Sequence, residues 1–311
     1  MAAVAAAAAG VMFYHLFNLP NERGTEVQLL IEKGAGSRRV AEQLAEAGVI
    51  SHPLLFRLAA RVSGLDKDLK AGEYVFLPGI SMREVLAIIS RGEVHYRRLT
   101  LPEGLTTARM LELIRAEPNL AGEITIAAEE GELLPETYSY VKGDSRDSII
   151  RRARLAMEKT LEEAWRQNRR KVLKNRRQLL TLASIIEKET GVPEERADVA
   201  AVFFNRLETG MKLQTDPTVI YALTEGKKDL GRPLYRKDLS VESPYNTYKY
   251  YGLPPGPICN PGREAIFAAV HPSDADYLYF VASGTGGHRF ARSLKEHNRN
   301  VSLYKKAMKK K

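Results

Sequence analysis

The chain opens on an apolar run. Residues Ala2 to Leu19 carry almost no polar side chain apart from His15 and Asn18, and Pro20-Asn21-Glu22-Arg23-Gly24 ends the run abruptly. At 1.5 Å rise per residue, about 18 apolar positions reach roughly 27 Å, just under the ~30 Å hydrocarbon core of a bilayer. This predicts a transmembrane anchor over 1–19 that belongs to neither folded core. The competing reading is a cleaved signal peptide ending in small residues such as Ala7-Ala8-Ala9. No second long apolar run follows, so either reading implies export of the rest.

Beyond the run the apolar positions alternate between a period of two and one of 3.6. Val27-Gln28-Leu29-Leu30-Ile31 reads as a strand, Gly34-Ala35-Gly36-Ser37 as a turn, and Val40, Leu44 and Ala47 as one face of a helix stopped by Gly48. A second unit echoes the first. Gly72 to Leu77 reads as a strand, Pro78-Gly79 as a turn, and Ser81 as the N-cap of a helix carrying Met82, Val85, Leu86 and Ile89 and closed by Gly92. Residues 25–99 are thus expected to form a small α+β module, and this layout resembles a LysM-like wall-binding subdomain; a plain spacer is the alternative.

From Thr100 to Gly122 another turn precedes a helix with Met110, Leu111, Leu113 and Ile114. Residues Ser148 to Arg177 read as a long charged helix or helix pair carrying Trp165. Past Gln178 short helices are broken by Gly, Pro, Asn and Tyr, the texture from which clefts are built.

At 311 residues, two folded units plus an appendage are expected. Hydrophobic residues at 44% and charged residues at 27% exclude a disordered chain. The net charge of +9 implies attraction to a polyanion. Nucleic acid is not indicated, because the chain has neither Cys/His finger spacing nor an aromatic-studded RNP-like strand. The basic runs Arg169 to Arg177 and Lys305 to Lys311 read as a solvated helix and a tail, the tail proper being 306–311. The only cysteine, Cys259, lies in the turn-like Pro257-Ile258-Cys259-Asn260-Pro261 and is read as small-residue packing. No metal or cofactor is called for: the six histidines show no HExxH spacing, and Gly284-Thr-Gly-Gly287 precedes His288 rather than the Lys-Ser/Thr of a phosphate loop.

The chemistry concentrates on Gln178 to Thr190, where Leu179, Leu182, Ala183 and Ile186 fall on one helical face. Glu189 stands above Ile185, Ile186 and Leu182, whereas Glu187 stands above Ala183 and Ser184. A carboxyl against aliphatic side chains loses hydration of its charged form, and its pKa rises towards the range of a general acid.

Further strings follow in order: Val202-Phe-Phe-Asn-Arg-Leu207, Gly210-Met-Lys-Leu-Gln-Thr-Asp-Pro-Thr-Val-Ile-Tyr221, Ser243-Pro-Tyr-Asn-Thr-Tyr248, Gly252-Leu-Pro-Pro-Gly-Pro257, Tyr277-Leu-Tyr-Phe-Val281, Gly284-Thr-Gly-Gly-His288 and His297-Asn298. Together with Glu130-Gly-Glu-Leu-Leu-Pro-Glu-Thr-Tyr138, they closely resemble the YceG-like endolytic murein transglycosylase family. The resemblance implies an α+β fold with an N-terminal transmembrane anchor, a LysM-like subdomain and a larger mixed catalytic domain over 100–305. A central helix carries the acid, the second Glu of Glu-Lys-Glu-Thr, which is Glu189. Leu134 and Glu136 depart from the family's usual aromatic and Asp.

The implied activity is that of a lyase: endolytic cleavage of the MurNAc-GlcNAc β-1,4 bond of nascent peptidoglycan strands, giving 1,6-anhydroMurNAc ends and terminating strand elongation. A single carboxylate can serve as acid and then base, because the MurNAc 6-hydroxyl is a tethered nucleophile. A hydrolase ordinarily needs a second carboxyl, and Asp216 and Glu136 are the candidates for a water-using muramidase. Gln214, Asp216, Asn246 and Tyr248 are placed along a sugar-binding cleft, since amides and hydroxyls pair with sugar hydroxyls and N-acetyl groups; for Asp216 a helix N-cap is the alternative. The expected partners are glycan strands, the bacterial inner membrane and a peptidoglycan synthase, with the catalytic domain on the periplasmic side. The rival from another class is a non-catalytic wall-binding scaffold.

Overall fold

The structure, a computed structural model, describes residues 1–21, 25–169 and 171–309. It is a mixed α+β protein of mainly helices with small two-stranded sheets. It divides into two compact units, one formed by residues 1–98, 119–121 and 139–144, the other by 99–118, 122–138 and 145–311.

The first unit contains α1 (Ala2–Asn18), β1 (Val27–Ile31), α2 (Ser37–Glu46), α3 (Pro53–Val62), β2 (Gly72–Phe76) and α4 (Met82–Arg91). Strands β1 and β2 pair antiparallel, Val27 opposite Phe76 and Ile31 opposite Gly72. Side chains alternate across a strand, so Gln28 and Leu30 face out while Ile31 is buried beside Tyr74, Phe76, Phe56, Leu44 and Ile89. Both ends of α4 follow from the sequence. Ser81 accepts the Glu84 N–H at 3.3 Å and its own N–H is taken by Glu84 Oε2 at 2.8 Å, a capping box. Gly92 then takes the left-handed conformation (φ 73°) that stops the helix at low steric cost.

Helix α1 differs from the expected membrane span. It has 17 residues, about 26 Å at 1.5 Å each, and among the described residues no helix is long and apolar enough to cross a membrane. Nor does the run stand apart from the folded core. Phe13 and Phe17, ring centroids 5.8 Å apart, pack against the core of the first unit, whereas Val4, Val11, Met12 and Tyr14 are exposed.

Strands β3 (Arg97–Thr100) and β4 (Thr137–Tyr140) form another two-stranded sheet. The second unit holds α5 (Thr107–Ala116), α6 (Arg146–Gln167), α7 (Arg176–Glu189), α8 (Arg196–Glu208), α9 (Asp216–Thr224), α10 (Arg263–Ala268), the hairpin β5 (Tyr279–Ala282) and β6 (His288–Ala291), and α11 (Leu294–Met308). The centre is α7. Every residue from Leu179 to Ile186 is buried, with α6, α8, α9 and α10 packed around it. A helix apolar on one face alone would need one covering layer; this one is enclosed, and its polar Ser184 is satisfied by donating to Thr181 O and accepting the Ile258 N–H.

The basic run 169–177 is not the solvated helix expected. α6 ends at Gln167, and α7 starts at Arg176 because the Asn175 side chain caps it, accepting the Gln178 N–H at 2.9 Å. Between them Leu173 is buried, which draws the connection onto the core. Arg170 lies outside the described residues. Of the segment 306–311, residues to Met308 continue α11, while Lys310 and Lys311 also lie outside them. Cys259 is fully buried, its Sγ against Ser184 O and its thiol pushed well up by burial, the environment of a packing residue.

Replacing Phe17 with Ala is expected to destabilise the first unit by roughly 1–3 kcal/mol, because a half-buried ring leaves both the core and its stacked neighbour. Chemical denaturation followed through that unit's transition measures it. A midpoint within error of the parent would mean the end of α1 contributes nothing to the core.

Candidate active site

Glu189 is the last residue of α7, a position with two physical consequences. The enclosed helix carries the carboxyl to the margin of the core, and the helix C-terminus is the negative end of the backbone dipole, which disfavours a carboxylate. Burial raises the carboxyl's pKa above the ordinary value. The neighbouring Asp216 charge acts in the same direction, while a hydrogen bond from Thr215 Oγ1 to Glu189 Oε1 and the charges of His288 and Arg206 oppose it.

The Thr215 hydroxyl is aimed by a local network. Gln214 adopts a left-handed backbone (φ 51°), uncommon without glycine, and its N–H donates to Thr247 O at 3.2 Å. Thr215 itself is buried; its N–H donates to Thr247 Oγ1 at 3.1 Å, and Thr218 Oγ1 lies 2.8 Å from the same hydroxyl. The turn therefore presents Thr215 to Glu189 and Asp216 to solvent. Asp216 opens α9 without capping it, which removes the N-cap alternative; Tyr248 Oη donates to its Oδ1 at 2.6 Å. Burial, then Asp216, pushes the Tyr248 phenol up, so it remains a donor.

Among the expected residues, Glu189, Asp216 and Tyr248 thus form one electrostatic cluster, and Gln214 is exposed beside it. Asn246 departs from the expected cleft position. Its side chain is fully buried, its amide donating to Leu239 O (3.0 Å) and Val241 O (2.8 Å) and its oxygen accepting the Tyr248 N–H (3.0 Å). It shapes the loop that carries Tyr248 and has no face left for a sugar.

Four residues escaped the sequence reading. Thr215 contacts the acid directly. Arg206, on α8, is buried; its Nε donates to Leu278 O at 2.7 Å and its guanidinium lies 5.4 Å over the Tyr279 ring, fixing a cation near Glu189. Glu195 and His288 pair through Oε2 and Nδ1 at 2.7 Å. All four lie inside or near strings that stand out in the sequence, but nothing in residue type or spacing separates them from their neighbours.

The expected contrast between the two acids of α7 is only partly present. Burial raises Glu187 too, helped by Glu103, while the Gly262 N–H bond and Arg196 pull it down. Its surroundings are what differ: Glu187 Oε2 is held by that backbone N–H at 3.1 Å, whereas Glu189 faces the hydroxyls and Asp216. Leu134 is buried in the core of this unit and offers no stacking face, and Glu136 is exposed. Among the described residues no group of His, Cys, Asp and Glu side chains is arranged to hold a metal ion.

A half-buried glutamic acid at a helix end, with a hydroxyl, a second carboxylate and a fixed cation around it, defines a candidate acid/base site. The chain matches the YceG-like family over residues 29–303 and belongs to it. It is 32% identical to the endolytic murein transglycosylase of Bacillus subtilis (strain 168), over 90% of this chain and 85% of that protein. With the endolytic murein transglycosylase of Streptococcus pneumoniae (strain D39) the identity is 30%, over 88% of this chain but 57% of the longer relative. The crystal structure of a yceG-like protein from Listeria monocytogenes superposes with a TM-score of 0.55 at 31% identity, covering 89% of this chain and 99% of that one.

Because Glu189 has a raised pKa, its stability contribution is whole below the unfolded carboxyl's pKa and is lost as pH rises through the folded value. Glu189→Gln, which keeps an acceptor for Thr215, should match the parent at low pH and exceed it in stability at alkaline pH. Denaturant unfolding at several pH values measures this; a deficit growing with pH would contradict the burial argument.

Proposed function

We propose that the chain is an endolytic lytic transglycosylase of peptidoglycan, cutting the MurNAc-GlcNAc β-1,4 bond of nascent strands with Glu189 as both acid and base. The name shared by the Bacillus and Streptococcus relatives supports the substrate and reaction class. The observation that carries the chemical role is the half-buried Glu189 carboxyl, raised by burial yet hydrogen-bonded by Thr215. Protonated Glu189 gives its proton to the bridging oxygen as the C1–O bond breaks, and GlcNAc departs with a free 4-hydroxyl. The resulting carboxylate takes the proton of the MurNAc 6-hydroxyl, whose oxygen bonds to C1 and closes the 1,6-anhydro ring. Glu189 ends protonated, ready for another turn. Thr215 orients the carboxyl through both halves, and Arg206 offsets negative charge in the partly buried site.

Gln214, Asp216 and Tyr248 are proposed to meet the sugar, with Asn246 holding Tyr248's loop. A muramidase reading is favoured by one observation: the Asp216 carboxylate acts on Glu189 and is close enough to raise its pKa. Against it, Asp216 Oδ1 is engaged by Tyr248. The first unit, with its strand, turn and helix repeated, is proposed as the LysM-like wall-binding part. The exposed apolar side of α1 supports attachment to the bacterial inner membrane as a short anchor, with the catalytic unit on the periplasmic side and a peptidoglycan synthase within reach.

Glu189→Gln should lower glycan cleavage by roughly 10²- to 10⁴-fold, the usual worth of general acid-base catalysis, while Glu187→Gln stays within about tenfold of the parent. Equal losses in both would remove the basis for choosing Glu189, full activity in the first would place the acid on another residue, and a parent that cuts no glycan would leave the scaffold reading.

Digestion in heavy-oxygen water separates the two reaction types. Products should carry no label at the new MurNAc end and weigh about 18 Da less than reducing ends, as ring closure by the 6-hydroxyl adds no water at C1. Label at that terminus would make water the nucleophile and Asp216 its base.

A further inference from the structure

The glycine-rich string before His288 has no part in the steps above, yet a half-buried carboxylate is devoted to it. Glu195 lies in the short turn between α7 and α8. Its Oε1 accepts the His288 backbone N–H at 2.6 Å, its Oε2 meets His288 Nδ1 at 2.7 Å, and Thr190 Oγ1 donates to Oε2 at 3.4 Å. Thr190 directly follows the acid. The seat tolerates little else: a Cβ on Gly287 would sit 2.1 Å from Glu195 Oε1, and Gly287 has φ +69°. The rings of Phe280 and Phe290, centroids 5.2 and 6.4 Å from the imidazole, flank it on the hairpin side.

Only an N–H can pair with a carboxylate, so this contact sets Nδ1 as the protonated nitrogen of His288. The imidazole is also one of the groups that act on Glu189. The others facing the acid are Thr215 and Asp216 at the start of α9, Arg206 on α8 and Tyr248 on its loop. A positive ring favours the ionised acid against Asp216.

We propose that Glu195 and His288 are a positioning pair for Glu189: Glu195 orients the imidazole, ties β6 to the residue that follows the acid, and so fixes the polarity the carboxyl meets on that side. The proposal rests on Glu189 being the acid/base, but its test does not require the reaction to be the one named above.

The stability difference between a protein and its Glu189→Gln counterpart traces the ionisation of Glu189 in the folded state. It should be followed across pH in the parent and in the Glu195→Gln and His288→Gln backgrounds. Glu195→Gln keeps the shape and the acceptor for the His288 N–H, altering what faces Nδ1 and the long Thr190 hydroxyl contact on the same oxygen. Losing the oriented imidazole should move the end of the titration window to higher pH in both backgrounds. The rate of glycan cleavage should fall roughly 10- to 100-fold, the scale of a small misplacement, mainly in kcat with KM little changed. A folded Glu195→Gln protein with an unmoved window overturns the proposal, even if its activity falls, since a merely structural tie would lower activity without touching the acid. Should His288→Gln fail to fold, the Glu195→Gln comparison decides alone. A parent that cuts no peptidoglycan would refute the proposed function while leaving this titration readable.

Discussion

The structure depends on one unfavourable placement: an ionisable carboxyl at the C-terminal end of an enclosed helix. Eight successive residues of α7, Leu179 to Ile186, have no solvent face, and the helix delivers Glu189 where both low hydration and the backbone dipole oppose its charge. Such a placement costs stability near neutrality and persists only if the surrounding packing over-determines it. Here the packing comes from every side. Helices α6, α8, α9 and α10 all rest on α7, and even its internal serine is tied to the Ile258 segment.

Around that carboxyl the polar groups are held by backbone, which keeps them from relaxing away. Gln214 carries an uncommon left-handed backbone, and the threonines at 215, 218 and 247 bond one another. Asn246 uses its whole amide on the loop of Tyr248, and Arg206 is pinned by the carbonyls of Leu213 and Leu278. Each directed group has its orientation paid for in advance, the meaning of preorganisation in an acid/base site.

Local elements were legible wherever one short-range rule decided them. The strand Val27–Ile31 and the α4 limits at Ser81 and Gly92 are where period and caps put them. The helix carrying Glu189 was equally plain, since an apolar run with acids at its end has few other solutions. Where long-range packing decides, the reading failed. Basic residues 169–177 look helical, but Asn175 and the burial of Leu173 break them into a connection and a new helix. The apolar run to Leu19 looks uniform, yet Phe13 and Phe17 join a core while Val11, Met12 and Tyr14 stay exposed. Asn246 and Thr215 exchanged expected importance for the same reason. A loop amide turned inward and one turned outward are the same letter, and only the carbonyls it finds at Leu239 and Val241 tell them apart.

A group that must give a proton and then take one back is poorly served by an extreme affinity in either direction. Burial and Asp216 raise Glu189; Thr215, His288 and Arg206 lower it, and the opposing sets come from different elements. Thr215 and Asp216 are adjacent at the start of α9 yet pull oppositely, so that one turn of chain supplies both a stabiliser of the carboxylate and a charge that resists it. Arg206 comes from α8 and the His288 imidazole from β6. Proton affinity at Glu189 is therefore set by how closely these elements are held to α7, and that spacing rests on contacts remote from any sugar: the Phe203–Phe280 ring pair between α8 and β5, centroids 6.0 Å apart, and the Asn205 amide on the carbonyls of Ala275 and Tyr277. Substitutions there change the acid without touching it, because in a close-packed interior a shifted hairpin moves its charges as a body.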